Sequence, residues 1–205
     1  MKKIVLVLLL VILGIVGYYC YKFSNAGKGD RGSKQQPIAL KKHSEAFNNS
    51  VTSMMNAYFD IKTAFVDADT AKAKISCKKF IQLLDSLPIS ELKNDTATIF
   101  ETVQANINDI KMNTESLLTQ TDITEMRQDF RMVSEMLYPS FFKAINYEGP
   151  KMYWQNCPMA FGEDKAANWI SNTEEIVNPY LGKNHPEFKS SMLHCGEIQD
   201  TIKAQ

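Results

Sequence analysis

The chain has 205 residues, an apolar fraction of 44% and equal numbers of basic and acidic side chains, 23 of each. Because the formal net charge is zero, no global field attracts nucleic acid or an anionic membrane surface, and nucleic-acid binding is disfavoured. The length leaves room for about one ordinary domain. The four cysteines are too scattered for a disulfide scaffold and form no CxxC pair, which excludes a zinc finger.

Residues 1–24 predict a membrane anchor or an export signal. Lys2 and Lys3 precede an apolar run that extends to Tyr21 and is about 27 Å long as a helix. Small residues at 24–26 offer a signal-peptidase site, although the long aromatic end of the run favours a retained anchor. Both outcomes place the domain outside the cytoplasm, either anchored to the inner membrane on the periplasmic side or exported after cleavage.

Residues 25–36 are polar and glycine-rich without periodicity, which indicates a flexible linker. One domain is expected from residue 37 to residue 205, with a tail over residues 150–205. From Pro37 to Tyr147, apolar side chains repeat at helical spacing in four stretches joined by short loops. The sequence therefore predicts an all-α domain, an antiparallel four-helix bundle followed by an irregular C-terminal tail.

Several residues mark the expected helix ends and the expected core. Asp69 and Asp122 are predicted N-caps, and Pro139 is expected to kink or end the fourth helix near Tyr138. Sulfur-containing residues on the apolar stripes are expected to be buried core residues, and Cys77 is the clearest example. A short helix is expected over residues 164–170. The side chains of His43 and His185 are expected to be solvated.

The tail carries the unusual chemistry of the chain. Soft sulfur donors lie at both ends of the stretch from Cys157 to Cys195, and such donors suit Cu(I), with Ag(I) as a second candidate. Asn178-Pro179-Tyr180 and Gly182 are turn residues that are expected to fold this stretch back so that its ends meet. The candidate metal ligands are Cys157, Met159, Met192, His194 and Cys195.

Two interpretations of Cys157 and Cys195 stay open. In an oxidising compartment, two lone cysteines that flank a loop often form a disulfide, which would make this a stapled interaction domain without metal. A copper site would use both thiolates, with Met159 and Met192 completing it and His194 assisting. Catalysis is not predicted, because adjacent residues such as His194 and Cys195 rarely orient toward each other and no third orienting group is visible.

Segments along the chain resemble a bacterial domain family of unknown function. The resemblance covers most of residues 45–203 and is carried by CPMAF, NWIS, NPYLG and MLHCG in the tail, and upstream by MNAYFDIKTAFVDADTAKA and residues 129–138. That family occurs alone in exported proteins and at the C-terminus of periplasmic adaptors of copper/silver efflux pumps. The resemblance implies a helical domain outside the cytoplasm that handles heavy metals, and no established reaction.

The resemblance raises the metal interpretation above the disulfide. The predicted function is extracytoplasmic binding of Cu(I) or Ag(I), which the domain sequesters or passes to a partner. An efflux or copper-delivery protein is the expected partner, and the membrane is contacted through the N-terminal helix.

Overall fold

The computed structural model of the protein describes residues 42–203. Four long α-helices come first: α1 Glu45–Val66, α2 Thr70–Asp85, α3 Ala97–Thr119 and α4 Ile123–Glu135. Three strands follow: β1 Met152–Cys157, β2 Ala167–Ser171 and β3 Glu197–Ile202. The strands form one antiparallel sheet in the order β2-β1-β3. The predictions for residues 1–24 and 25–36 lie outside the described residues.

The prediction of an all-α fold is wrong, because the tail forms this sheet. β1 is the central strand and pairs with β2 from Tyr153↔Ser171 to Cys157↔Ala167. The short helix expected over residues 164–170 is replaced by β2, where the aromatic and β-branched side chains of Trp169 and Ile170 suit a strand. The strands have only five or six residues each, which is too short for a clear alternation in the sequence.

Polar side chains cap the N-termini of all four helices. Asp69 and Asp122 accept hydrogen bonds from backbone N–H groups as predicted, and Ser44 and Thr96 do the same for α1 and α3. α1 therefore begins later than predicted, since residues 42–44 are not helical. The predicted end of the fourth helix is confirmed, because a π-helical turn, Met136–Phe141, follows α4 and contains a residue in extended conformation next to the proline.

An aromatic cluster forms the centre of the core. The ring of Phe130 in α4 lies 5.0 Å from that of Tyr58, 5.2 Å from that of Phe65 and 6.1 Å from that of Tyr180, measured between centroids. Tyr180 belongs to the tail, so the same cluster joins the bundle to the segment between β2 and β3. The predicted burial of the sulfur-containing core residues is confirmed, since Cys77 is fully buried.

The prediction of a solvated side chain at His43 is wrong. The side chain of His43 is only 2% exposed. Its ring packs against Phe47 with a centroid distance of 4.3 Å, and its Nε2 bonds to the carbonyl of Ile145. The Nδ1 atom lies 3.6 Å from the carboxylate of Glu91. The apolar stripe of α1 could not predict this burial, because His43 precedes the helix and is covered by a residue more than 100 positions away.

Polar contacts fasten the sheet to the bundle. The hydroxyl of Tyr58 bonds to Ser134 Oγ at 2.7 Å and accepts the backbone N–H of Ile170 at 3.0 Å. All three residues are buried, so each of these polar groups needs its partner. β2 is therefore held against both α1 and α4.

Lys62 makes a second contact between α1 and β2. Its buried amine donates to Ser171 Oγ at 3.1 Å. Burial lowers the pKa of Lys62 to about 8 from 10.5, although the nearby Glu175 acts in the opposite direction. Between these two pKa values the unfolded chain binds more protons at this site than the folded chain does, so the destabilising effect of the amine decreases as the pH rises.

We expect the Lys62→Met variant to be more stable than the wild type near pH 7, with a difference that narrows by about 3 kcal/mol as the pH rises to 10.5. Urea unfolding of both proteins across this pH range measures the difference, and other titrating groups cancel in it. Lys79→Met is the matched control, because Lys79 is largely exposed beside Asp60. A difference that stays constant with pH would show that the Lys62 amine titrates as it does in water.

Candidate site at Cys157 and Cys195

The fold brings the two predicted cysteines together. Cys157 is the last residue of β1 and is fully buried, whereas Cys195 lies in the partly exposed turn before β3. Their Sγ atoms lie 2.6 Å apart, and both residues are free thiols. A disulfide bond is 2.03–2.05 Å long, so the distance between the two sulfurs is close to that of a bonded pair. The prediction that the two ends of this stretch meet is confirmed.

Asn178 holds the turn that carries Cys195. Its side chain is fully buried, and its Nδ2 donates to the carbonyl of Cys195 at 2.9 Å. Its Oδ1 accepts the backbone N–H groups of Tyr180 at 2.8 Å and Leu181 at 3.1 Å. Its own backbone N–H donates to the carbonyl of Leu193 at 2.8 Å. The predicted turn therefore also positions one of the two thiols.

Gly196 allows the turn to approach β1 closely. Its φ angle is +143°, and a Cβ at this position would lie 2.6 Å from the carbonyl oxygen of Asn156 and 3.0 Å from Cη2 of Trp169. A side chain would push the turn away from the strand. Gly196 was not among the predicted site residues, although its place directly after Cys195 was an available signal.

The other candidate ligands are close to this pair in sequence. His194 is exposed, and its Nδ1–H donates to the carbonyl of Ile176 at 2.7 Å, which leaves Nε2 as the lone-pair atom of the neutral ring. Metal-binding histidines are commonly oriented by such a bond. Met159 and Met192 are partly buried against the core, and Met159 lines a surface groove.

The surroundings of Cys195 favour the protonated form of its thiol. Burial raises the pKa of the Cys195 thiol to about 12, and the hydrogen bond and charge of Cys157 act in the same direction. Removal of the proton therefore needs a compensating change, which a bound cation or oxidation to a disulfide would supply. Within residues 42–203 no group of three or more His, Cys, Asp or Glu side chains is arranged to hold a metal ion.

Fold and site define a helical bundle extended by a small sheet, with a thiol pair at the junction of its central strand and its last turn. A family model described as "Protein of unknown function (DUF3347)" matches residues 54–146. The match covers most of the bundle and ends before β1, so the cysteine pair lies beyond the matched residues. No curated protein and no solved structure matches the chain. In the part of the chain that the structure describes, no helix is long and apolar enough to cross a membrane.

Proposed function

We propose that this domain binds a soft monovalent metal ion, Cu(I) or Ag(I), outside the cytoplasm through the reduced thiols of Cys157 and Cys195. The observation that carries the proposal is the contact between the two sulfurs at 2.6 Å, across 38 positions of sequence. Thiolates are preferred ligands of Cu(I), and the fold brings this pair together. The domain would sequester the ion or pass it to an efflux or copper-delivery protein.

The residues of the site fit such an ion. Two metal–sulfur bonds of about 2.3 Å, the length known for zinc, span more than 2.6 Å at any ordinary bond angle, so the sulfurs must separate. Cys157 is fixed in β1 by pairing with Ala167, whereas Cys195 lies in a partly exposed turn and is the residue that can move. His194, through its free Nε2, is a candidate third ligand.

The thioethers of Met159 and Met192 remain candidate ligands in this proposal, because their sulfurs are soft donors close in sequence to the two thiols. Binding of the ion releases thiol protons, since only the thiolate is a ligand. Affinity for Cu(I) is therefore expected to fall as the pH falls.

A disulfide-stapled interaction domain without metal is the second candidate, and the same contact between Cys157 and Cys195 favours it. In an oxidising compartment the two thiols need to approach by only a fraction of an ångström to bond. Closing this loop is expected to stabilise the fold by about 4 kcal/mol in the chain-entropy model. Under this alternative, copper has no specific effect on the reduced protein.

The experiment that tests the proposal is a competition for Cu(I) between the reduced protein and a coloured chelator without oxygen. We expect the wild type to withdraw Cu(I) from the chelator and to melt at a higher temperature with the ion bound. The variant with Cys157→Ser and Cys195→Ser is expected to do neither. Cys77→Ala is the matched control, because it removes a buried free thiol away from the site.

Single replacements rank the remaining ligands. Met159→Ala and Met192→Ala are expected to weaken Cu(I) binding more than His185→Ala does, because His185 lies outside the proposed ligand set. If the reduced wild type holds no more Cu(I) than the double-cysteine variant, the proposal of a metal-binding function is wrong. A melting temperature that then rises on oxidation only when both cysteines are present would support the stapled domain.

A further inference from the structure

A surface groove of about 450 Å³ lies between the start of α4 and two segments of the tail. Its volume falls within the range of sites that bind small molecules. The walls are mainly apolar and aromatic, and the residues that matter here are Met159, Phe161, Tyr180, Leu181 and Phe188. Such walls suit an apolar ligand body.

One cation is buried in the wall of this groove. Arg127 of α4 is only 4% exposed, and its Nε atom is buried without a hydrogen-bond partner. Among residues 42–203 it forms no ion pair with a carboxylate. Burial lowers the pKa of Arg127 to about 10, with Asp122 acting in the opposite direction, so the guanidinium is charged at neutral pH. A buried charge without a counter-ion is costly, and an anion would reduce that cost.

A structural role accounts for only part of Arg127. Its Nη2 donates to the carbonyl of Phe65 at 2.8 Å, near the C-terminus of α1, where a cation is favourable. Gly182 leaves room for this contact, since its φ angle is +61° and a Cβ there would lie 2.8 Å from the backbone oxygen of Val66 and 2.9 Å from Nη2. The guanidinium has five N–H donors, however, and the bond to Phe65 leaves the Nε–H unused.

The other charged groups of the groove limit where an anion can bind. Glu163 and Glu187 are exposed at the rim and repel an anion there. His185, which was predicted to be exposed, is partly buried in the groove, and burial together with the charge of Arg127 lowers its pKa. The imidazole is therefore neutral at pH 7, and Arg127 is the group that attracts an anion.

We propose that this groove binds a small carboxylic acid with an apolar body, whose carboxylate lies on Arg127 and whose apolar part lies against Phe161, Tyr180 and Phe188. The proposal is independent of the thiol pair. A planar guanidinium matches a carboxylate, and the aromatic walls match an aliphatic chain or a ring.

The test uses octanoate and 1-octanol as displacers of the fluorescent probe 1-anilinonaphthalene-8-sulfonate from the folded protein. The two displacers share an apolar chain and differ in charge. The ratio of their affinities therefore isolates the role of Arg127. We expect octanoate to bind at least about tenfold more tightly than octanol, the factor that a charge-assisted hydrogen bond supplies. In Arg127→Met this ratio is expected to fall to about one.

A second variant keeps the test decisive if Arg127→Met does not fold. Thr124→Trp fills the groove from an exposed position and is expected to abolish binding of both displacers. Thr98→Trp is its matched control, because Thr98 is also exposed and is likewise the second residue of a helix. Bound octanoate is also expected to raise the pKa of His185 in a proton NMR titration.

Three results would each overturn the proposal. The first is an absence of saturable probe fluorescence in the wild type, and the second is equal affinity for octanoate and octanol. The third is an octanoate affinity that Thr124→Trp leaves at the level of Thr98→Trp.

Discussion

Replacement of Phe130 by alanine is expected to lower the free energy of unfolding by about 4 kcal/mol. The ring is fully buried and contacts Tyr58, Phe65 and Tyr180, so its loss leaves a cavity bounded by two rings of α1 and one of the tail. Because these neighbours are large and fixed by other contacts, they cannot collapse to fill the space. Urea unfolding monitored by circular dichroism measures the change.

Phe100→Ala is the matched control for this replacement. Phe100 lies in α3, is partly buried and is covered on one side by the amine of Lys93, 4.4 Å from the ring centroid. Its removal exposes less apolar surface and opens no enclosed cavity, so a loss of about 1 kcal/mol is expected. Equal losses in the two variants would mean that the cluster around Phe130 is not the centre of the core.

Replacement of Asn178 by alanine is expected to lower the free energy of unfolding by about 3–5 kcal/mol. The change removes three side-chain hydrogen bonds at once and leaves the carbonyl of Cys195 and the N–H groups of Tyr180 and Leu181 without those partners. Each buried polar group that loses its partner costs about 1–3 kcal/mol. Urea unfolding of the reduced protein isolates this effect from any bond between the thiols.

Asn184→Ala is the matched control, because Asn184 makes a single exposed hydrogen bond to the carbonyl of Asp67. Its expected cost is below about 0.5 kcal/mol. Asn178→Ala is also expected to slow oxidation of the thiol pair, since the turn that carries Cys195 loses its attachment. If the two asparagine variants unfold at the same urea concentration, Asn178 does not hold this turn.

The helices could be predicted from the sequence because their signals are local. Apolar residues at a helical period and capping residues such as Asp69 and Asp122 lie within a few positions of the elements that they define. The meeting of Cys157 and Cys195 could also be predicted, because turn residues such as Asn178 signal reversal of the chain. Sequence periodicity carries these features without knowledge of the neighbouring elements.

The sheet could not be predicted, because its signals are weak and its partners are distant. β3 contains Glu197 and Asp200 and is exposed over most of its length, so it shows no apolar alternation. The buried charges were missed for a similar reason. Lys62 and Arg127 lie on helices where the periodic pattern favours a polar residue facing solvent, and tail residues cover them.

β3 is an edge strand, and it continues directly from the turn that carries Cys195. Under the proposed function, this connection means that movement of β3, as well as protonation of the thiolates, would release the metal. The hydrogen bond from Asn178 holds the turn on one side, and the pairing of β1 with β3 holds it on the other. A partner that separated β3 from β1 would therefore alter the distance between the two sulfurs without touching either of them.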